Sequence, residues 1–571
     1  MPDSESCYGR ANAHNAAPSA PAYQAFRLSR SRFVLILSIL LLANLVGAFA
    51  ISMFLINLVI VSIDGTIVAT LTRVIMDDLG ASSVIAWLGA SYLIATALVQ
   101  PLCGQFSDIY TRRTCLLIGC ITLLLGNIIC GTAKSFAVLV AGRFLSGVGG
   151  GACTIMPTII LTDITPKERR GLWQGINNIT FASGYSLGGI FGGLTAYYWS
   201  WRGSFLTLIA PAFLLMVGAV LIPEPNDVQG GRRSPDNESF LSTNSEDCPL
   251  LPRTSLGQGS LDIVGATLLC IGLGLLLASA QQLDFGNSNL NFMVNAFGFT
   301  ISCISLSGFI YHSIFVADRP LLPLKLLTNP PSIGYICLMN FLSLFSYFIG
   351  EFYLPILMSL QEDVSLEVVG WCLSPLTIGA AVGSLLTGAL LSRHKSSHLL
   401  LASSVVMCMG PFGISLSTDS GFVRIHQLVF TFIWGFGFGG VTTISLVKLL
   451  GAIPTDIQAP TTSLMYTSRC LGGAFSLPVA GFVLNMIREH RLRSLLIRLT
   501  AAEDPDVLPT PIQELIQSLL ANQPINPEMP DSWIARIQNC EIRSVAFIFL
   551  LSVVSSLFTL LLSLLIIYAE E

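Results

Sequence analysis

The chain has 571 residues, of which 53% are hydrophobic and only 11% are charged. A water-soluble protein of this length carries about 25% charged residues, so the composition excludes a set of soluble domains. The formal net charge of -4 leaves no continuous basic face, which excludes nucleic acid as a partner. Hydrocarbon is therefore the predicted solvent for most of the chain.

The N-terminal region divides into a polar tail and a long apolar run. Residues 1–31 are rich in Ala, Ser and Pro, which predicts a disordered tail on the cytosolic side. The apolar run from Phe33 to Leu71 would form a helix about 58 Å long, whereas the hydrocarbon core is about 30 Å thick. Either residues 33–47 lie on the membrane as a separate segment, or they are an insertion.

Apolar segments of spanning length recur fourteen times, which predicts an all-α polytopic membrane protein. Six of them lie at 48–72, 83–103, 114–133, 136–161, 172–196 and 203–223. Eight more lie at 262–282, 293–316, 333–359, 367–391, 398–417, 425–450, 461–486 and 544–568. Lys and Arg concentrate in alternate loops, and this asymmetry places the N-terminus in the cytosol.

Two long loops interrupt the pattern of spans. The predicted cytosolic loop 224–260 contains Glu246, Leu250 and Leu251 in an acidic dileucine pattern, which is typical of signals that sorting adaptors read. The loop 487–543 falls on the opposite, luminal side. Its segment IQELIQSLL predicts an amphipathic helix lying on that surface.

The first predicted span contains Asp64 among apolar residues. A charged side chain at the centre of a span costs about 2.5–3.5 kcal/mol on insertion scales, so it is a candidate functional residue. Low-dielectric surroundings favour the protonated form of a carboxyl group, which can then collect a proton from an acidic side and release it to a neutral one. Asp64 is therefore the predicted proton-coupling residue.

Three more charged residues inside predicted spans are candidates for proton coupling or substrate binding: Arg143, Glu351 and Arg469. Glu351 and Asp64 lie at comparable depths, so we expect the two acids to face each other across a central cavity. Such a pair suits a cationic substrate, because one acid can hold the substrate while the other carries the proton. Arg469 either binds a substrate carboxylate or neutralises Glu351.

The first predicted cytosolic turn reads GQFSDIYTRR and includes Gly104, Asp108, Arg112 and Arg113. It closely resembles the G-x-x-x-D-x-x-G-R-R/K loop of the major facilitator superfamily, with Thr111 where a glycine is usual. The resemblance implies a latch, because in that family the aspartate and arginines join neighbouring helix ends. This latch sets the balance between outward-open and inward-open states.

The fifth predicted span carries a stripe of glycines that would allow very close helix contact. The stripe resembles the antiporter signature of the superfamily, G-x8-G-x3-G-P-x2-G-G, with Gly189 in place of the proline. The matching glycines are Gly175, Gly184, Gly188, Gly192 and Gly193. Arg143 matches the arginine of the family's fourth-span motif, which is linked there to proton transfer.

The segment around Asp64 resembles the fourteen-span proton antiporters, and with the stretches 162–166 and 173–178 it is most similar to fungal vacuolar basic amino acid transporters. The resemblance is strong over residues 48–223 and weaker in the second half.

The implied architecture is the major facilitator fold. Six-helix bundles at 32–223 and 318–571 are expected to be related by a two-fold pseudo-axis, with two additional spans at 261–317.

The resemblance implies a proton-coupled antiporter of the vacuolar membrane, with a basic amino acid and protons as ligands. Two other functions stay open: a plasma-membrane exporter of drugs, toxins or siderophore-like compounds, and a nutrient-sensing receptor that binds solute without moving it. We find no metal-ligand spacing and no nucleophile motif on any loop. No metal, no cofactor and no enzymatic activity are therefore predicted.

Overall fold

Long apolar helices dominate the described part of the chain, because a spanning segment must satisfy its backbone hydrogen bonds internally. The structure is a computed structural model. It describes residues 58–68, 71, 74–75, 78–79, 86–165, 169–221, 262–281, 289–317, 320–328, 331–360, 373–416, 423–453, 457–502 and 531–569. The predicted tail 1–31, the segment 33–47, the dileucine pattern at 246–251 and the segment IQELIQSLL lie outside these ranges.

The helices follow the order of the predicted spans. Those of the first half are α1 (Leu58–Val68), α2 (Ala86–Ile109), α3 (Arg112–Thr132), α4 (Phe136–Ile164), α5 (Arg170–Tyr198), α6 (Trp201–Thr207) and α7 (Ile209–Leu221). The central pair is α8 (Ile263–Gln281) and α9 (Asn289–Tyr311). Those of the second half are α10 (Pro331–Ser359), α11 (Ser374–Leu390), α12 (Ser396–Leu416), α13 (Val423–Ala452), α14 (Gln458–Ala502) and α15 (Asp531–Tyr568).

The prediction of an all-α polytopic membrane protein is confirmed. Within the described ranges, ten helical stretches are long and apolar enough to cross a membrane, and three shorter apolar helices accompany them. The remaining helix is the glycine-rich α5. Each predicted span coincides with one helix, except that the span 203–223 corresponds to α6 and α7 together.

The predicted luminal loop 487–543 is shorter than expected, because α14 continues to Ala502 and α15 already begins at Asp531. The 45 residues of α14 correspond to about 68 Å of helix, far more than a bilayer requires. An ion pair of 2.7 Å joins Arg488 of α14 to Glu541 of α15. The guanidinium of Arg491 also lies 5.5 Å from the ring centre of Phe547. These contacts hold the two helices together beyond the apolar spans.

Two seams join the halves of the molecule. In one seam α2 packs against α14, and in the other α5 packs against α11. Counted within their own halves, α2 and α11 are both second spans, whereas α5 and α14 are both fifth spans. This reciprocal pairing is the pattern of contacts that a two-fold pseudo-axis in the bundle produces.

The central helix α8 lies along the seam between α2 and α14. Leu273 and Leu277 of α8 pack in one buried cluster with Ile94 of α2 and Ala474 of α14. The central pair therefore contacts both halves, and it covers one seam rather than standing apart from the bundle.

Asp262 ties the beginning of α8 to three neighbouring elements. Its carboxylate accepts hydrogen bonds from the backbone N–H of Gly265 at 2.8 Å and from that of Leu321 at 3.2 Å, and it contacts Nε2 of His312 at 2.9 Å. Its own N–H donates to the side-chain oxygen of Gln105 on α2 at 3.2 Å. This network attaches α8 to the end of α2 that carries the predicted latch loop.

Candidate functional site

Asp64 of α1 and Arg143 of α4 form an ion pair inside the first half. Nη1 of Arg143 donates to Oδ1 of Asp64 at 3.1 Å, and Nη2 donates to the backbone carbonyl oxygen of Asp64 at 3.3 Å. The exposed fractions of the two side chains are 1% for Arg143 and 0% for Asp64. The pair is therefore shielded from water in this conformation, and Asp64 does not line an open cavity.

Aromatic and amide groups surround the pair. The guanidinium of Arg143 lies 4.3 Å from the ring centre of Tyr92 and 5.9 Å from that of Phe205. The aromatic faces stabilise the cation, most strongly where water is excluded. The fully buried amide of Asn127 also lies near the carboxylate of Asp64, and its Nδ2 donates to the carbonyl oxygen of Leu123 at 3.2 Å.

The pair is only partly satisfied by hydrogen bonds. Among the described residues, Oδ2 of Asp64 and Nε of Arg143 are buried and have no hydrogen-bond partner. A buried ionic network with unmet groups is costly, and removal of one charge leaves the other uncompensated. The arrangement is therefore sensitive to the protonation state of Asp64.

Two glycines of α5, Gly184 and Gly188, allow α1 to pack closely against α5. A Cβ atom on Gly184 would lie 2.6 Å from the carbonyl oxygen of Val59, and one on Gly188 would lie 3.1 Å from Cα of Ile63. Only glycine allows α1 this close to α5. The predicted stripe thus packs against the turn of α1 that carries Asp64.

The glycines near the N-terminal end of α5 make a different contact, with α11. A Cβ atom on Gly171 would lie 3.0 Å from the carbonyl oxygen of Gly388, and one on Gly175 would lie 3.0 Å from Cα of Leu385. Gly175 therefore belongs to the seam with α11 rather than to the contact with α1. The remaining predicted glycines, Gly189, Gly192 and Gly193, also lie on α5.

The predicted latch residue Arg112 joins two acids from different helices. Its Nη1 donates to Oδ1 of Asp108 and, at 2.7 Å, to Oγ of Ser107, and its Nε donates to Oδ2 of Asp163 at 3.1 Å. Arg113 forms no ion pair with any described residue. Arg112 thus connects the ends of α2 and α4.

Gly104, the first residue of the latch loop, lies in the seam with α14. A Cβ atom there would lie 3.2 Å from the carbonyl oxygen of Ala459 and too close to the side chain of Ser463. The latch loop is therefore directly beside a contact between the halves.

A polar network crosses the second seam close to the same face. Nδ2 of Asn178 on α5 donates to Oγ of Ser384 on α11 at 2.8 Å and to Oγ1 of Thr443 on α13 at 3.1 Å. In addition, the hydroxyl groups of Thr158 on α4 and Tyr466 on α14 lie 3.0 Å apart. These side chains hold the halves together on the predicted cytosolic side.

Glu351 and Arg469 lie in the second half but do not pair. Nε and Nη2 of Arg469 donate to Oδ1 of Asn340 at 3.2 Å and 2.8 Å. Within the described ranges Glu351 forms no ion pair, and its Oε2 is buried without a hydrogen-bond partner. The structure therefore does not place Arg469 as the counter-ion of Glu351.

Several residues that take part in these contacts were not predicted from the sequence. Asp163 stands within the stretch 162–166, yet nothing in the sequence links it to Arg112. Polar residues inside apolar spans, such as Asn127, Asn178 and Asn340, are the signal that could have marked the others.

A helical bundle whose halves pack crosswise, with buried charges on its inner helices, has the architecture of a membrane transporter. The chain belongs to the Major Facilitator Superfamily, whose family model matches residues 53–477. It is accordingly a multi-pass membrane transporter and not an enzyme.

Curated relatives include transporters with different named roles. The vacuolar membrane amino acid uptake transporter fnx2 of Schizosaccharomyces pombe is 30% identical, over 77% of this chain and 73% of that protein. The multidrug resistance protein fnx1 of the same organism is 28% identical, over 86% of each chain. The vacuolar basic amino acid transporter 2 of Saccharomyces cerevisiae is 25% identical, over 73% of this chain and 88% of that protein.

Solved structures agree on the fold. The human organic anion transporter MFSD10 superimposes with a TM-score of 0.54 at 14% identity, covering 89% of this chain and 99% of that one. The proton:xylose symporter XylE gives a TM-score of 0.53 at 13% identity, with 89% and 94% covered. At such identities the likeness concerns the fold alone.

Proposed function

We propose that this chain is a proton-coupled antiporter that moves basic amino acids across the vacuolar membrane by alternating access. The observation that carries the proposal is the buried pair of Asp64 and Arg143, because a carboxylate shielded from water and held by one cation is suited to reversible protonation. The names of two relatives, a vacuolar amino acid uptake transporter and a vacuolar basic amino acid transporter, support the substrate and the location.

In the proposed cycle, a proton from the acidic lumen neutralises Asp64. Arg143 then remains charged without its counter-ion, which is costly in buried surroundings. A rearrangement of α1 relative to α4 relieves this cost. Glu351 is proposed to hold the positive charge of the substrate in the second half, because it carries an unpaired carboxylate among the described residues.

The glycine stripe offers a physical link between the proton site and the seam. Gly188 packs against α1 beside Asp64, and Gly175 packs against α11 in the second half. These two glycines lie about 20 Å apart along one helix. A displacement of α1 is therefore proposed to shift α5 as a rigid body and to loosen its seam with α11.

The test is uptake of labelled lysine into proteoliposomes with an imposed pH gradient. Asp64→Asn is expected to abolish accumulation driven by the gradient while retaining exchange of lysine for lysine, with rates normalised to folded protein. Glu489→Gln, a change to a carboxylate on the extension of α14, is the matched control and should accumulate lysine normally. Full accumulation by Asp64→Asn would refute the proposed coupling.

The second candidate is an exporter of drugs or toxins at the plasma membrane. The similarity to a multidrug resistance protein over 86% of both chains favours it. A tagged chain at the vacuolar rim, together with unchanged drug sensitivity on deletion, would support amino acid transport. A tagged chain at the cell periphery with increased drug sensitivity on deletion would support the exporter.

A further inference from the structure

Arg469 is a cation inside a span, and its partners among the described residues carry no negative charge. It lies 11 residues into α14, and both of its donated hydrogen bonds reach the same amide oxygen of Asn340. The ring of Tyr466 lies 4.8 Å from its guanidinium carbon. No described acid forms an ion pair with Arg469. Its charge is thus stabilised by dipoles but is not neutralised.

Asn340 is held so that its oxygen faces Arg469. Nδ2 of this fully buried asparagine donates to the carbonyl oxygen of Ile336 at 2.8 Å and to Oγ of Ser445 at 3.1 Å. The amide therefore has a fixed orientation. Because its oxygen occupies one edge of the guanidinium, the N–H groups of Nη1 point elsewhere, and they have no partner among the described residues.

The position of Arg469 is at the contact between the halves. Tyr466, one turn earlier on α14, reaches Thr158 of α4 through its hydroxyl group. Tyr466 itself is buried, whereas Arg469 is partly exposed. Arg469 is thus a partly exposed cation inside the apolar segment, next to a residue that contacts the other half.

We propose that Arg469, oriented by Asn340, is the subsite that binds the carboxylate of the transported amino acid. A guanidinium presents paired N–H donors in a planar fork that matches a carboxylate, and the resulting hydrogen bonds are charge-assisted. The bound carboxylate then supplies the negative charge that balances the guanidinium of Arg469. Asn340 is a positioning residue here, because it acts through the orientation of Arg469.

The carboxylate subsite is separate from Glu351. Asn340 and Glu351 are 11 residues apart on α10, which places them on one face of the helix and about 16 Å apart along its axis. Tyr347 lies between them on the same face. The guanidinium of Arg469, which Asn340 of α10 holds from α14, and the carboxylate of Glu351 therefore lie at two different depths along α10.

This inference rests on the proposed function, and its test uses competition against labelled lysine uptake in proteoliposomes. Unlabelled lysine is compared with cadaverine, which has the same amines but no carboxylate. The native protein is expected to prefer lysine by about tenfold or more. Arg469→Gln is expected to raise the KM for lysine about ten- to a hundredfold and to abolish the preference, whereas Arg469→Lys should retain part of it.

A second variant guards against misfolding. Asn340→Asp places a carboxylate against the guanidinium, so it should leave a folded protein in which the subsite is occupied and lysine binds weakly. An unchanged KM in Asn340→Asp and Arg469→Gln, or equal competition by cadaverine in the native protein, would overturn the carboxylate subsite. Absence of any lysine transport by the native protein would instead refute the proposed function.

Discussion

Arg143 and Asp64 contact each other through two hydrogen bonds although 79 residues separate them in the chain. The contact brings α1 and α4 together, and it buries both charges completely. Because each charge depends on the other for compensation, the pair acts as one unit in the stability of the first half.

Loss of one partner should therefore cost more than loss of both. Asp64→Leu or Arg143→Leu alone is expected to lower the free energy of unfolding by about 3–5 kcal/mol, because the remaining group is buried without its counter-ion. The double variant should recover most of this stability while remaining inactive. Thermal unfolding in detergent measures the difference, and equal losses in single and double variants would contradict the coupling.

The glycine contact with α1 predicts a steric effect on transport. Gly188→Val should displace α1 from α5 and reduce lysine uptake at least tenfold, because even a Cβ atom at this position meets Ile63 and Thr66. Gly451→Ala is the matched control, since nothing lies within 4 Å of a Cβ atom there. Uptake by Gly188→Val equal to that of this control would show that the close approach is dispensable.

The contacts of the latch predict that Asp163 contributes as much as Asp108 to the balance between conformations, because both acids pair with Arg112. Each pair with Arg112 is partly exposed, with side-chain exposures between 19% and 34%, so each contributes at most about 1 kcal/mol. Asp163→Asn should shift the balance of conformations by about fivefold. Accessibility of an introduced cysteine to a thiol reagent reports the shift.

Arg113→Ala serves as the control for this experiment, because Arg113 forms no ion pair with the described residues. The prediction would be contradicted if Arg113→Ala shifted the accessibility as strongly as Asp163→Asn.

The seam between α5 and α11 can be locked covalently. Asn178 and Ser384 contact each other at 2.8 Å, so cysteines at these two positions should form a disulfide under mild oxidation. Transport should stop on oxidation and return on reduction, because the halves separate at this seam in the proposed alternating-access cycle. Each single cysteine variant controls for other thiols, and full transport by the oxidised double variant would argue against movement at this seam.

Asp78 lies outside the spans, and its contact with Trp201 and Arg202 at the beginning of α6 is expected to depend on pH. Hydrogen bonds from Trp201 and Arg202, both at 3.0 Å, lower the pKa of Asp78 below its ordinary value. The stabilisation is therefore fully present above pH about 4 and is lost as the pH falls through the lower pKa of the folded state. At pH about 5, which lies above the ordinary pKa of an aspartate, this contact should therefore be intact.

Fluorescence of Trp201 tests the contact, taken as the difference between the native protein and Trp201→Phe. The signal should stay constant down to pH about 4 and change below it. In Asp78→Asn that transition should be absent, and a transition at higher pH in the native protein would contradict the assignment.

The helix order was predictable from sequence because each span is an apolar run bounded by polar loops. Asp64, Glu351 and Arg469 stood out for the same reason, since a charge contrasts with its apolar neighbours. Which charge meets which depends on the rotation of each helix about its axis. Packing across distant segments, such as the approach of Gly188 to α1, determines this rotation, and a single sequence does not reveal it.

The extension of α14 and α15 into the predicted loop 487–543 was not predictable from sequence for a related reason. Hydropathy identifies the part of a helix that is apolar enough for lipid, and it gives no signal for a polar continuation of the same helix. The pair of Arg488 and Glu541 stabilises that continuation by a contact between residues 53 positions apart.

The attachment of α8 makes the two seams mechanically unequal. Asp262 attaches α8 to Gln105 of the first half, whereas in the described part of the chain the contact of α8 with α14 is apolar. In the proposed alternating-access motion, α8 should move together with the first half and slide past α14. Between the described residues, no hydrogen bond would have to break for this sliding, whereas separation of α5 from α11 would break those of Asn178 to Ser384 and Thr443.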